Sequence, residues 1–92
     1  MTDTVVDRPD RRQYELEVDG VVAFIEYEPG DGRVAATHTV VPEALGGRGV
    51  GSTLVRGMLD DLRARGLKIE PRCPFVAAWI GKHPDYADLV AA

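Results

Sequence analysis

The segment Val40-Val41-Pro42-Glu43-Ala44-Leu45-Gly46-Gly47-Arg48-Gly49-Val50-Gly51-Ser52-Thr53 restricts the fold of this chain more than any other. A β-branched run enters it, and four glycines fall within six residues. A helical apolar periodicity leaves it: Val50, Leu54, Met58 and Leu62, with Val55 and Leu59 beside them. The pattern predicts a strand, a tight turn and a long amphipathic helix closed by Gly66. The first N–H groups of such a helix lack intrahelical acceptors, and a glycine-rich approach lets phosphate oxygens reach them. Each glycine costs about 1 kcal/mol relative to alanine inside a helix, so four of them favour a ligand-holding turn over one that only packs.

The flanking segments supply a sheet. Tyr14, Leu16 and Val18 alternate with Glu15 and Glu17, a half-buried strand, and Asp19-Gly20 turns it into a return strand over residues 21–28. Residues 29–32 form a second turn, and residues 33–41 read as a third strand. After the helix, residues 67–70 read as a short fourth strand, laid parallel to the third by the crossover. Pro71 cannot donate a ladder hydrogen bond, so the two parallel strands should part there. Pro74 opens a second helix over residues 75–83 with Phe75, Val76, Trp79 and Ile80 on one side; Pro84-Asp85 breaks it, and Tyr86, Leu89 and Val90 pack as a final turn. The expected fold is α/β: a three-stranded antiparallel meander extended by one parallel strand, with two helices on the sheet. Residues 14–92 form the single domain and residues 1–13, polar and without periodicity, a mobile arm.

Composition narrows the function classes. Ninety-two residues with 45% hydrophobic content suit one compact domain. No stretch approaches the roughly 20 apolar residues of a membrane span, and the first 13 residues lack a signal peptide's apolar middle, so the expected location is the cytoplasm, away from membranes. A net charge of −4 weighs against nucleic-acid binding and suits a cationic substrate. The single cysteine, Cys73, leaves no internal disulfide and no Cys/His zinc set; no metal is expected. Monomer or weak dimer is the expected state.

Residues 46–53 match a P-loop except that Ser52 stands where the phosphate-binding lysine is required, and Gly47-Arg48-Gly49-Val50-Gly51 is not the G-x-G-x-x-G of a dinucleotide fold. Instead, Gly49-Val50-Gly51 between a strand and a long helix resembles the Q/R-x-x-G-x-G/A signature of the GNAT superfamily of N-acetyltransferases, with Gly46 in the place of the Gln or Arg. His38-Thr39-x-Val41-Pro42, Cys73-Pro74-Phe75 and Lys82-His83-Pro84-x-Tyr86 extend the resemblance to the small single-domain acetyltransferases of that superfamily, over residues 14–90.

The resemblance implies transfer of an acetyl group from acetyl-CoA to an amine: a protein lysine, a chain terminus or a small amine. It implies that Val40 and Val41 hold the pantetheine arm, and that Gly46, Gly47, Arg48, Gly49, Val50, Gly51 and Ser52 cradle the pyrophosphate. Lys82 and His83 are candidates for the CoA phosphates. Cys73, at a helix start where orphan N–H groups favour a thiolate, is a candidate acetyl acceptor or pocket wall. His38 is a candidate base and Tyr86 a candidate acid for the departing thiolate; a backbone-satisfied histidine and a core-packed ring are the plainer alternatives. Glu26 and Glu28 share a strand face and would attract an ammonium group. The chain lacks the superfamily's final strands, so the acceptor site is expected to be open. Two rival readings remain, a non-catalytic acyl-CoA binding module and a plain interaction domain.

Overall fold

The computed structural model describes residues 4–91. Its strands are β1 (Val6–Arg8), β2 (Gln13–Val18), β3 (Val21–Pro29), β4 (Arg33–Val40) and β5 (Lys68–Pro71), and its helices α1 (Val50–Arg65) and α2 (Pro74–Gly81). Short 3₁₀ turns occupy Glu43–Leu45 and Pro84–Leu89. The five strands form one sheet in the order β1-β2-β3-β4-β5, antiparallel up to β4 and parallel between β4 and β5.

The core lies between one face of this sheet and the helices. Strand alternation sends Tyr14, Leu16, Val18, Ala23, Ile25 and Tyr27 inward, and α1 meets them with Val50, Leu54, Val55, Met58, Leu59 and Leu62. Burying each large aliphatic side chain contributes about 1.5–3 kcal/mol, which fixes which face of α1 turns to the sheet. Gly66 ends α1 at φ 71°, a left-handed position that glycine takes without a Cβ penalty.

One expectation is corrected at the N-terminus. Part of the segment expected to be a mobile arm is strand β1, paired with β2 from Val6↔Glu15 to Arg8↔Gln13. Residues 1–3 lie outside the described residues. Two contacts hold the strand. Val5 sits over α1 where Gly57 has no side chain: a Cβ on Gly57 would lie 2.6 Å from Val5 Cβ. Asp7 accepts from the Tyr27 hydroxyl and pairs with Arg65 at 3.0 Å, while Arg65 also pairs with Asp61, the acceptor of the Tyr14 hydroxyl. Burial raises the pKa of both tyrosines and the bonded carboxylates raise it further, so both stay protonated donors.

Strand β4 carries a bulge invisible to its alternation. Glu26 pairs with His38 but Tyr27 pairs with Ala36, leaving Thr37 as an extra residue on β4, its hydroxyl donating to the Glu26 carbonyl at 3.2 Å. Parallel pairing to β5 stops at Ala36↔Pro71, where proline ends the ladder, and the Cys73 N–H then reaches the Ala36 carbonyl at 2.9 Å. Beyond this point β4 keeps only β3 as a partner, and α2 starts beside its free edge.

Candidate active site

The free end of β4, the glycine turn and the start of α2 enclose a cleft of about 340 Å³, lined by Val41, Leu45, Gly46, Gly47, Gly49, Val50, Gly51, Ser52 and Phe75. Its mouth is the turn. The N–H groups of Leu45 and Gly46 are spent on the carbonyls of Pro42 and Glu43, and Thr53 is the first helical donor, to Gly49. Among the described residues, the six N–H groups between them, from Gly47 to Ser52, donate to no backbone carbonyl. Gly47 and Gly49 take φ values of 76° and 70°, left-handed positions that turn these amides outward, and α1 starts at Gly49 with no capping side chain. Six convergent donors at a helix N-terminus suit a diphosphate. Gly46 joins the lining, but its own amide is not available.

Gly51 serves a second purpose. A Cβ there would meet the Phe75 ring at 2.8 Å and Val41 Cγ2 at 3.5 Å, so its bare backbone lets α1, β4 and α2 converge. Phe75 is 44% exposed and forms an apolar wall beside the amides. Val41 lies on the cleft side; Val40 pairs with Phe24 in the sheet and does not line the cleft.

Cys73 lies where β4 and β5 separate. Its Sγ is 3.2 Å from Thr39 Oγ1, and the residue is 5% exposed. Burial pushes the thiol pKa up, but the Thr39 hydroxyl and the N–H groups of Val76, Phe75 and Thr39 outweigh it, so the pKa is lowered from its ordinary value. Three amides and a hydroxyl around one sulfur favour the thiolate, the form that attacks a carbonyl.

The other candidates fall at different distances from this centre. His38 is exposed and opposite Glu26, while its neighbour Thr39 points to Cys73; side chains alternate across a strand, so the imidazole and the thiol lie on opposite faces of β4. Glu28 shares the outer face with Glu26, but Arg72 approaches it at 3.8 Å. Arg48 pairs with Asp19 at 3.0 Å, across the β2–β3 turn. Lys82 is exposed and in no ion pair among the described residues. His83 stacks on Trp79, with ring centroids 3.7 Å apart, and its Nδ1 lies 2.7 Å from the Trp79 carbonyl oxygen.

Tyr86 is a correction. Its hydroxyl donates to Asp60 at 2.7 Å and accepts from Arg56, and its pKa is raised by the Asp60 bond. Asp60 lies ten residues into α1, about 15 Å along the axis from the amides. In the structure this hydroxyl is bonded to α1 and not to Cys73. The sequence reading missed Thr39 and Phe75, although Thr39 stands next to His38 and Phe75 inside Cys73-Pro74-Phe75. Trp79, on the apolar side of α2, also carries a polar contact: its indole N–H reaches Ser52 Oγ at 2.7 Å.

No helix among the described residues is long and apolar enough to cross a membrane, and those residues hold no group of acidic, histidine or cysteine side chains able to bind a metal. Among curated proteins, none matches the chain. Among solved structures, it is similar to the NMR solution structure of a GCN5-like protein from Staphylococcus aureus, an N-acetyltransferase by assignment, with 28% identity, a TM-score of 0.70, and coverage of 88% of this chain and 82% of that one. The family model described as GCN5-related N-acetyl-transferase matches residues 13–89, which takes in every strand from β2 to β5, the glycine turn and both helices. The chain belongs to the GCN5-related N-acetyltransferase family.

Proposed function

We propose that the protein transfers an acetyl group from acetyl-CoA to a primary amine through Cys73. One observation carries the reading: a thiol with a lowered pKa lies against Thr39 on the β4 segment that leads into a cleft whose lining includes Gly47, Gly49, Val50, Gly51 and Ser52, all with unpartnered amides.

The residues present fit acetyl-CoA. The amides of Gly47, Arg48, Gly49, Val50, Gly51 and Ser52 suit its diphosphate, and Val41 with Phe75 offers an apolar wall for the pantetheine arm. Lys82 and His83 are the nearby groups we assign to the remaining phosphate, and Arg48 joins them once it leaves Asp19. Bound there, the donor supplies a thioester whose carbonyl is open to a nucleophile. Cys73 Sγ attacks that carbonyl as the thiolate, forming a new thioester on the protein and releasing CoA thiolate, which takes a proton from water. The acceptor amine then attacks the Cys73 thioester. The C–S bond breaks, Sγ regains its electron pair among the amides of Thr39, Phe75 and Val76, and the amine gives up its proton. That proton passes to water, because His38 lies on the opposite face of β4 from the thiol.

The negative net charge favours a cationic acceptor, such as a protein lysine. A reduced thiol is required, and we assign the activity to the cytoplasm on that ground.

The experiment is to incubate the protein with acetyl-CoA alone and digest it. An acetyl group is expected on the peptide bearing Cys73, labile to hydroxylamine and absent in Cys73→Ala. A Cys73→Ala variant that still transfers acetyl to amines at the native rate overturns the covalent route. The rival reading, a binding module without turnover, predicts acetyl-CoA binding with neither acetyl-Cys73 nor CoA release.

A further inference from the structure

Two adjacent hydroxyls on the first turn of α1 are used differently. Thr53 Oγ1 donates to the carbonyl of Gly49 at 3.1 Å, the ordinary fate of a hydroxyl in a helix. Ser52 Oγ instead accepts from the Trp79 indole N–H at 2.7 Å, and its own hydrogen has no acceptor among the described residues. An indole nitrogen only donates, so this contact fixes Ser52 Oγ as acceptor and leaves its hydrogen to be given elsewhere. The ring that does this is itself held. Trp79 is 6% exposed, stacks on His83 at 11° between planes, and lies under the Arg56 guanidinium at 5.2 Å. Ser52 lines the cleft beside the unpartnered amides.

We infer that Trp79 is a positioning residue for anion binding: by occupying a lone pair of Ser52, it turns that hydroxyl into an additional donor aimed at the diphosphate. The inference rests on the proposed acetyl-CoA site. It assigns to Trp79 a role beyond filling the core and adds a side-chain donor to a cradle otherwise built of backbone.

The test compares acetyl-CoA with acetyl-pantetheine, which carries the thioester but no diphosphate, by calorimetry on the native protein, Trp79→Phe, Ser52→Ala and the double variant. Phenylalanine keeps an aromatic ring and removes the N–H together with part of the ring's area, so a thermal melt accompanies each titration to separate lost packing from the lost donor. Each single variant should bind acetyl-CoA about ten-fold more weakly, the scale of one hydrogen bond to a charged group. The double variant should be no weaker than Ser52→Ala, and affinity for acetyl-pantetheine should be unchanged throughout. The chain has one tryptophan, so its single indole N–H resonance reports directly. It should shift on adding inorganic pyrophosphate to the native protein and stay still in Ser52→Ala. Native affinity in Trp79→Phe, losses that multiply in the double variant, or equal weakening toward acetyl-pantetheine would each overturn the inference and leave the enzyme reading standing. A native protein that binds neither acetyl-CoA nor pyrophosphate would remove both.

Discussion

Thr39 and Cys73, 34 residues apart in sequence, meet at 3.2 Å between hydroxyl and sulfur where β4 loses its parallel partner. A hydrogen bond to a charged group is worth about 1.5–3 kcal/mol, and 1.36 kcal/mol corresponds to one pKa unit. Thr39→Val should therefore move the pH midpoint of Cys73 alkylation upward by about one unit. The sign follows from the lowered pKa: at neutral pH the variant holds less thiolate and reacts more slowly, and well above both midpoints the two proteins react alike. An unchanged alkylation profile would show that the hydroxyl does not tune the thiol.

At Gly51 two effects oppose. Alanine gains about 1 kcal/mol of helix propensity, but its Cβ would sit 2.8 Å from the tip of the Phe75 ring. That ring is 44% exposed and free to swing, so the Gly51→Ala variant should keep its thermal midpoint within a few degrees. The displaced ring narrows the cleft, and affinity for acetyl-CoA should fall about ten-fold or more. Calorimetry beside a thermal melt separates the two; native affinity would place the ligand away from Phe75.

Tyr86→Phe discriminates structure from chemistry. Losing the hydroxyl breaks the bonds to Asp60 and Arg56, which should cost about 1 kcal/mol of stability on denaturant unfolding. The rate of transfer should not change. A large fall in rate with native stability would return Tyr86 to the catalytic set.

Gly57→Ala tests how β1 is held. Alanine suits a helix better by about 1 kcal/mol, yet its Cβ would collide with Val5. The amides of residues 6–8 should exchange with solvent faster while affinity for acetyl-CoA stays native, since Gly57 lies seven residues, about 10 Å, along α1 from the start of the helix at the cleft. Unchanged exchange would mean that Asp7 and its partners Tyr27 and Arg65 alone anchor the strand.

Much of this architecture is legible in the chain because its signals are local. Tyr14, Leu16 and Val18 alternate cleanly, the apolar stripe of α1 runs unbroken from Val50 to Leu62, and Gly66 and Pro71 stop their elements at the positions their chemistry requires. What is not legible depends on register or on distant contacts. Val6–Arg8 is too short for a periodicity, and its anchors Gly57 and Arg65 lie about 50 residues or more away. The bulge at Thr37 exists only relative to Glu26 and Tyr27 on β3, and it decides that Thr39 turns toward Cys73. Tyr86 and Trp79 show the same limit. A sequence reveals an aromatic ring near a helix end, but not whether its polar atom faces Asp60, Ser52 or the thiol.

The most direct measurement is a titration of ¹⁵N-labelled protein with acetyl-CoA, read residue by residue. The largest amide shifts should fall on Gly47, Arg48, Gly49, Val50, Gly51 and Ser52, followed by Thr39, Phe75 and Val76 around the sulfur. Shifts concentrated instead on another cleft, such as the one of about 220 Å³ beside Tyr14, Tyr27 and Leu67 at the far end of α1, would contradict the account, because the ligand would then bind where no amide cradle and no thiol await it.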